Sequence, residues 1–269
     1  MIANNGHQLL QLGQTCRRFR ALVTSARCFI CGIPLFFSKR PGTPLRVLCV
    51  IAFDTLHTFR NSDRLTTDSL RTLATLLDFA ACVNAVQDHK KCRPEEYECT
   101  LQQLEAAGSG DLVQEYLQQL GELERNRPFP GGDLQRFQDS RAYREAVVRL
   151  SLAAVATVAS DKFCLNDAKA AVHLDEDLDT LFRIIMLCQI IDDVMDYSAD
   201  RAARLPSFLT SVASFPQSIE YTRLAAKSYA SARALPALNG IFPLQLALVA
   251  VSALAELIIC LRVLLNRVA

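Results

Sequence analysis

Apolar residues recur along most of the chain at intervals of three and four, which is the spacing of one face of an α-helix. The clearest example follows Thr66-Thr67-Asp68, where apolar residues at positions 70, 73, 76, 77, 80, 81 and 83 continue the pattern towards Lys91. No stretch of any length alternates apolar and polar residues as a half-buried strand does. The pattern therefore predicts an all-α protein.

Prolines, glycines and polar runs divide this pattern into segments. Predicted helices cover 45–60, 66–91, 93–107, 110–125, 140–162, 180–206, 219–235 and 242–267, and residues 1–38 hold one or two more. The proline- and glycine-containing stretch from Asn126 to Asp139 is a predicted loop and a candidate lid, and Asn166 to Asp179 is a predicted acidic connection. We predict a single domain over 1–269, with N-terminal helices to 64, a core at 65–215 and C-terminal helices from 216.

Composition bears on two properties of the protein, its binding to nucleic acid and the state of its cysteines. Of 269 residues, 51% are hydrophobic and 21% are charged. The 29 basic residues nearly balance the 28 acidic ones, and a net charge of +1 does not favour a nucleic-acid partner. Ten scattered cysteines suit reduced thiols in a cytoplasmic protein, which is the predicted location. Cys28-Phe29-Ile30-Cys31 has the spacing of a zinc half-site, but no second half follows it.

Two apolar segments are candidates for a signal peptide or a membrane-spanning helix. The first of them, Cys28 to Phe37, contains a glycine and a proline, so we do not predict a signal peptide there. Ile241 to Cys260 is nearly long enough to span a bilayer, but Glu256 interrupts it. A buried terminal helix is the favoured interpretation, and a peripheral membrane contact stays open.

A cluster of carboxylates follows directly on an apolar run in the predicted helix 180–206. Asp192 and Asp196 are four residues apart and share a helix face, and Gln189, Asp193, Asp196 and Asp200 form a strip at steps of three and four. Carboxylates so close repel one another unless a cation lies between them. Mg²⁺ binds one or two carboxylates and leaves its other positions to water and phosphates. The cluster indicates a metal and diphosphate site, with a solvated acidic helix end as the alternative.

A second polar pair lies on the predicted core helix 66–91. Asn84 and Asp88 are four residues apart and share a face. Taken alone they fit an ordinary polar helix end. Together with the acidic cluster downstream, they suggest two helices that face each other across a cavity and share a metal cluster.

The residues Gln189-Ile190-Ile191-Asp192-Asp193-Val194-Met195-Asp196 resemble the second aspartate-rich motif of the class I isoprenoid synthases. This superfamily comprises trans-prenyl diphosphate synthases, class I terpene synthases and squalene/phytoene synthases. The segment from Arg201 to Thr210 is similar to the basic, proline-containing turn that often follows. Asn84-Ala85-Val86-Gln87-Asp88 resembles a remnant of the first motif, with Asn84 and Ala85 in place of its first two aspartates. The resemblance implies the isoprenoid synthase fold, a helical bundle around a central cavity.

The resemblance also implies a set of roles. Mg²⁺, with Mn²⁺ as the alternative and up to three ions in all, would activate geranyl, farnesyl or geranylgeranyl diphosphate. The implied catalytic aspartates, which also bind the metal, are Asp88, Asp192, Asp193 and Asp196, with Asn84 as a further ligand. The implied diphosphate-binding residues are Arg144, Arg149, Arg201 and Arg204. The implied cavity-lining residues are Phe79, Val83, Met186 and Gln189.

Three functions follow from these roles. The first is a class I terpene synthase, which the irregular first motif favours over chain elongation. The second is a prenyltransferase of the same superfamily. The third is a non-catalytic helical partner subunit that keeps the fold. Asn84 and Ala85, in place of the first two aspartates of the motif, support this function. A homodimer stays open in each case.

Overall fold

The structure is a computed structural model that describes residues 44–87, 94–159, 164–231 and 242–268, with isolated helical residues between 16 and 30. Every regular element within these residues is an α-helix, which confirms the all-α prediction. The helices are α1 (Pro44–Asn61), α2 (Thr67–Gln87), α3 (Pro94–Ala106), α4 (Gly110–Arg125), α5 (Leu134–Val158), α6 (Leu165–Leu174), α7 (Glu176–Met195), α8 (Tyr197–Ala203), α9 (Phe215–Ala230) and α10 (Phe242–Val268).

Several predicted boundaries were wrong: α6 lies in the predicted connection 166–179, the predicted helix 180–206 is divided into α7 and α8, and α9 begins at Phe215 instead of 219. At two of the boundaries an aspartate begins a helix where the sequence indicated a connection. Asp133 accepts hydrogen bonds from the backbone N–H groups of Gln135 and Arg136, so α5 begins inside the predicted loop. Asp175 accepts from the N–H groups of Asp177 and Leu178 and starts α7. The acidic residues of the predicted connection lie in α6 and in the first turn of α7, where they suit the positive end of the helix dipole.

The chain forms two compact units, and the first contains α1, α2 and α3. Here α2 packs against both α1 and α3, with Leu73 and Phe79 fully buried. Asp54 is buried between these helices and accepts hydrogen bonds from the Arg64 guanidinium and from the N–H of Leu65, at 3.1 Å for the latter. An ion pair joins Arg46 of α1 to Asp78 of α2.

The second unit contains α4 to α9 and α10 from residue 246 onwards. Helix α7 lies at its centre and packs against α6, α8 and α9, and its inner face buries Phe182, Met186 and Ile190. The predicted lid is anchored in this unit, since the N–H of Gly131 donates to Thr210 O at 2.8 Å and the N–H of Ala213 to Gly132 O at 3.1 Å.

Two helical segments among the described residues are long and apolar enough to cross a membrane. They are Thr67–Val86 in α2, of which 28% is buried, and Leu244–Asn266 in α10, with a mean hydropathy of 2.4 and 17% buried. Length and composition alone do not distinguish a span from a core helix.

Candidate metal and diphosphate site

The acidic cluster lies where α7 ends and α8 begins. Asp196 connects the two helices, and its N–H donates to Asp192 O at 2.8 Å, so the helical path almost continues. Asp192 and Asp196 are both exposed, and they are one turn apart on the same face. We call these two residues the outer pair. The structure thus brings together two of the predicted metal ligands on the surface of the second unit.

Asp193 points the other way and is only 3% exposed. One of its carboxylate oxygens, Oδ1, lies 3.0 Å from Arg144 Nη2, and Oδ2 accepts a hydrogen bond of 2.7 Å from the N–H of Phe208. Both oxygens therefore have protein partners. Asp193 fixes the end of α7 to α5 and to the turn at 205–210.

Burial raises the pKa of Asp193 to about 6 from its ordinary value of 3.8, although Arg144 and the Phe208 N–H favour the charged form. The negative charges of Asp200 and Asp192 raise this pKa further. The strip predicted from Gln189 to Asp200 is thus not a solvated row, because Asp193 and Asp200 are buried while Asp196 is exposed.

Arg144, a predicted phosphate ligand, is held by the protein itself. Besides Asp193, it donates to Pro206 O at 3.0 Å and reaches Gln189 Oε1 at 3.5 Å, and its guanidinium lies 5.7 Å from the centre of the Phe208 ring. These contacts place Gln189 beside the buried counter-ion pair. Arg144 is therefore an internal counter-ion of Asp193.

The turn that receives Asp193 is closely hydrogen bonded. Thr210 Oγ1 donates to Leu205 O at 2.6 Å and accepts from the N–H of Ser207 at 2.8 Å. The carbonyl oxygens of Phe208 and Leu209 accept from Ser218 of α9, at 3.2 and 2.6 Å. The turn gives the Phe208 N–H a fixed direction, and these partners could not be identified from the sequence motif.

The other predicted arginines differ in their surroundings. Arg149 stacks over Phe182 of α7, with its guanidinium 3.7 Å from the ring centre. Arg201 and Arg204 are exposed, and Arg201 donates to the hydroxyl of Tyr197 at 3.4 Å. Arg204 ends α8 in the left-handed conformation, with φ of 56°. Of the four predicted phosphate ligands, these last two have exposed side chains directly after the outer pair.

The residues of the first predicted motif belong to the first unit. Asn84 is exposed near the end of α2, and Asp88 lies outside the described residues. Phe79 and Val83 are buried in the first unit, and the Phe79 ring lies 5.2 Å from that of Tyr97. Met186 is buried in the second unit and Gln189 half-buried there. The facing arrangement of the two motifs and their shared cavity stay predictions.

Sequence reasoning missed a second polar network beside α7. Glu145 accepts hydrogen bonds from Tyr229 at 2.6 Å and from Arg141 at 2.8 Å, and Arg141 also donates to Ser228. Burial and the neighbouring Glu145 raise the pKa of the Tyr229 hydroxyl. This network ties α5 to α9, and the spacing of Arg141 and Glu145 by four was its only sequence signal.

Within the described part of the chain, no group of three or more histidine, cysteine or acidic side chains is placed to hold a metal ion. No protein-family model matches the chain, and no curated protein or solved structure matches it significantly. The function of the chain is therefore inferred from its own residues.

Proposed function

We propose that this chain is an enzyme that ionises a prenyl diphosphate with the help of Mg²⁺, as a class I terpene synthase does. The observation that carries the proposal is the outer pair, two exposed carboxylates one turn apart whose helix end is fixed by a buried aspartate. A solvated helix end needs no such anchor. Burying a carboxylate is unfavourable unless it is paired, and here the pair with Arg144 holds the helix end that carries the outer pair.

The residues present fit a magnesium ion at the outer pair. Two carboxylates leave room for water and phosphate oxygens, which is how Mg²⁺ is usually bound. Asp193 does not fit as a ligand, since Arg144 and the Phe208 N–H occupy its oxygens. When bound, the ion would stabilise the negative charge that develops on the leaving diphosphate. Asp192 and Asp196 would hold it, and Asp193 is a positioning residue.

We assign the direct phosphate contacts to Arg201 and Arg204. Their exposed guanidinium groups follow the outer pair on α8 and at its end, and guanidinium suits phosphate oxygens because it donates two parallel hydrogen bonds. Arg144 instead pairs with Asp193 and favours its charged form. The carbon skeleton of the substrate would need an apolar enclosure.

Two other functions remain in competition. A prenyltransferase would use the same outer pair and would also need a second allylic or isopentenyl substrate. A non-catalytic partner subunit is favoured by one observation, the replacement of acids by Asn84 and Ala85 on α2.

The test is diphosphate release by the purified full chain. Geranyl, farnesyl and geranylgeranyl diphosphate are each supplied with and without Mg²⁺, and then with isopentenyl diphosphate added. A terpene synthase releases diphosphate and an apolar product from one allylic substrate alone. Lengthening that requires isopentenyl diphosphate, or joining of two allylic chains, supports the prenyltransferase. No release under any condition contradicts both enzymes and leaves the partner subunit.

Variants tie the activity to the site. Asp192→Asn and Asp196→Asn each remove one proposed ligand charge, and we expect each to lower turnover by at least about 100-fold. Asp139→Asn is the matched control, because Asp139 is an exposed aspartate of the same unit, outside the proposed site, that accepts a hydrogen bond from Gln135 at 3.0 Å. Equal activity of all three variants would contradict the assignment.

A further inference from the structure

The outward face of α10 is apolar along its length. Its large side chains there are between 46% and 66% exposed, although a soluble protein seldom exposes a contiguous apolar patch of more than a few hundred Å². We call this face the outer stripe, and it consists of Leu246, Val249, Ala250, Leu254, Leu257, Leu261, Leu264 and Leu265.

Polar contacts fix which face of α10 points outwards. Glu256 forms an ion pair with Arg223 of α9, with Oε1 and Nε 3.0 Å apart. Arg262 donates to Ser198 of α8 at 3.2 Å and lies 5.2 Å from the centre of the Tyr197 ring. These contacts hold the polar side of α10 against its own unit. These contacts therefore keep the outer stripe at the surface, because they oppose rotation of α10 about its axis.

The spacing of the outer stripe suits another helix. Ala250, Leu254, Leu257, Leu261 and Leu264 follow one another at steps of four, three, four and three. An average step of 3.5 keeps one seam of side chains directed at a partner helix, which receives each of them between four of its own residues.

The size of the outer stripe also suits a dimer. If each of its seven leucines and valines contributes on the order of 100 Å², one chain offers about 700 Å², close to the roughly 800 Å² per partner of a stable interface. A twofold axis would place the same stripe of two chains face to face, so that one surface serves as both partners.

We propose that the outer stripe of α10 is a homodimer interface in which it packs against the outer stripe of a second copy of this chain. The polar contacts of Glu256 and Arg262 keep α10 on its own unit in the dimer. The pairing uses none of the residues proposed to bind the metal or the diphosphate.

Sedimentation velocity on the full chain at micromolar concentrations tests the proposal. The wild type should sediment with twice the chain mass of 29.8 kDa. Leu257→Glu and Leu261→Glu place a charge in the centre of the stripe, and we expect each to weaken dimerisation by at least about 100-fold while helical circular dichroism is kept. Leu174→Glu is the control, since Leu174 is 85% exposed on α6, outside the stripe.

Several outcomes would overturn the dimer. A wild-type mass of 29.8 kDa throughout the micromolar range contradicts it whether or not the variants fold. A dimer that survives Leu257→Glu contradicts the assigned surface. Leu257→Ala, which adds no charge, serves if the glutamate variants unfold, and it should weaken the dimer by about tenfold. A monomer that binds vesicles of phosphatidylcholine and phosphatidylglycerol through the stripe would assign it to lipid instead.

Discussion

Helices α7 and α10 are both long and apolar, but the apolar face of α7 is buried whereas many of the large apolar side chains of α10 are exposed. In α7 the apolar face is covered by α6 and α9, and Asp193 enters the core beside Arg144. In α10 the polar residues Glu256 and Arg262 face the protein and the residues of the outer stripe face outwards. In both helices polar contacts hold the inward side to the protein, and the helices differ in whether their remaining large apolar side chains are covered.

The two polar anchorages should differ in strength by several kilocalories per mole. The Asp193–Arg144 pair is buried, and removal of one partner leaves an uncompensated charge in the core. The Glu256–Arg223 pair is partly exposed, with side chains 43% and 33% accessible, so water and salt weaken it.

The largest effect is expected from Arg144→Met. At pH 7.5 the variant should lose about 3–5 kcal/mol of unfolding free energy, because Asp193 keeps its burial and loses its counter-ion. Urea unfolding measures the loss. Arg201→Met is the control at an exposed arginine and should change stability by less than about 0.5 kcal/mol. Recovery in Arg144→Met combined with Asp193→Asn would support the pair, whereas equal losses in both arginine variants would contradict it.

The next effect is a pH dependence that belongs to Asp193. Its pKa of about 6 in the folded chain exceeds the ordinary 3.8, so the folded chain binds this proton more tightly than the unfolded one. The resulting stability is fully present below pH 3.8 and is lost as the pH rises through 6, by about 3 kcal/mol in all. Asp193→Asn cannot titrate, so wild type should lose stability relative to it between these pH values. A difference that is flat or grows with pH would show that Arg144 dominates burial.

The smallest effect is expected at the anchorage of α10. Arg223→Met, Glu256→Gln and the double variant form a cycle whose coupling energy should be at most about 1 kcal/mol and should fall in high salt. Thermal or urea unfolding at low and high salt measures it. Coupling as large as that of Asp193 and Arg144 would remove the contrast between the two helices.

Most of the helices and part of the candidate site could be predicted from the sequence. Phe182, Met186 and Ile190 lead at helical steps to Asp193, a spacing that fits the inner face of α7, although the motif predicted this aspartate to be a metal ligand. The partner Arg144 is 49 residues away and could not be identified, because the pair depends on how α5 packs against α7 and not on a local pattern. The outward direction of α10 was equally hidden, since a helix that is apolar nearly all round has no distinct apolar face.

The capping aspartates show the same limit on a smaller scale. Asp133 and Asp175 lie in polar stretches that were predicted to connect helices, but each of them begins a helix. An aspartate that accepts hydrogen bonds from two backbone N–H groups cannot be told from a loop aspartate until those groups are in place.

The most direct test of the proposed division between Asp193 and the outer pair is calorimetric titration of the chain with inorganic diphosphate. Wild type should bind diphosphate only when Mg²⁺ is present, because Asp192 and Asp196 supply oxygen ligands that need the ion to meet phosphate. Asp192→Asn and Asp196→Asn should each weaken this binding at least about tenfold, whereas Asp139→Asn should bind as wild type does. Diphosphate binding that is absent in wild type, or unchanged in both outer-pair variants, would contradict the account.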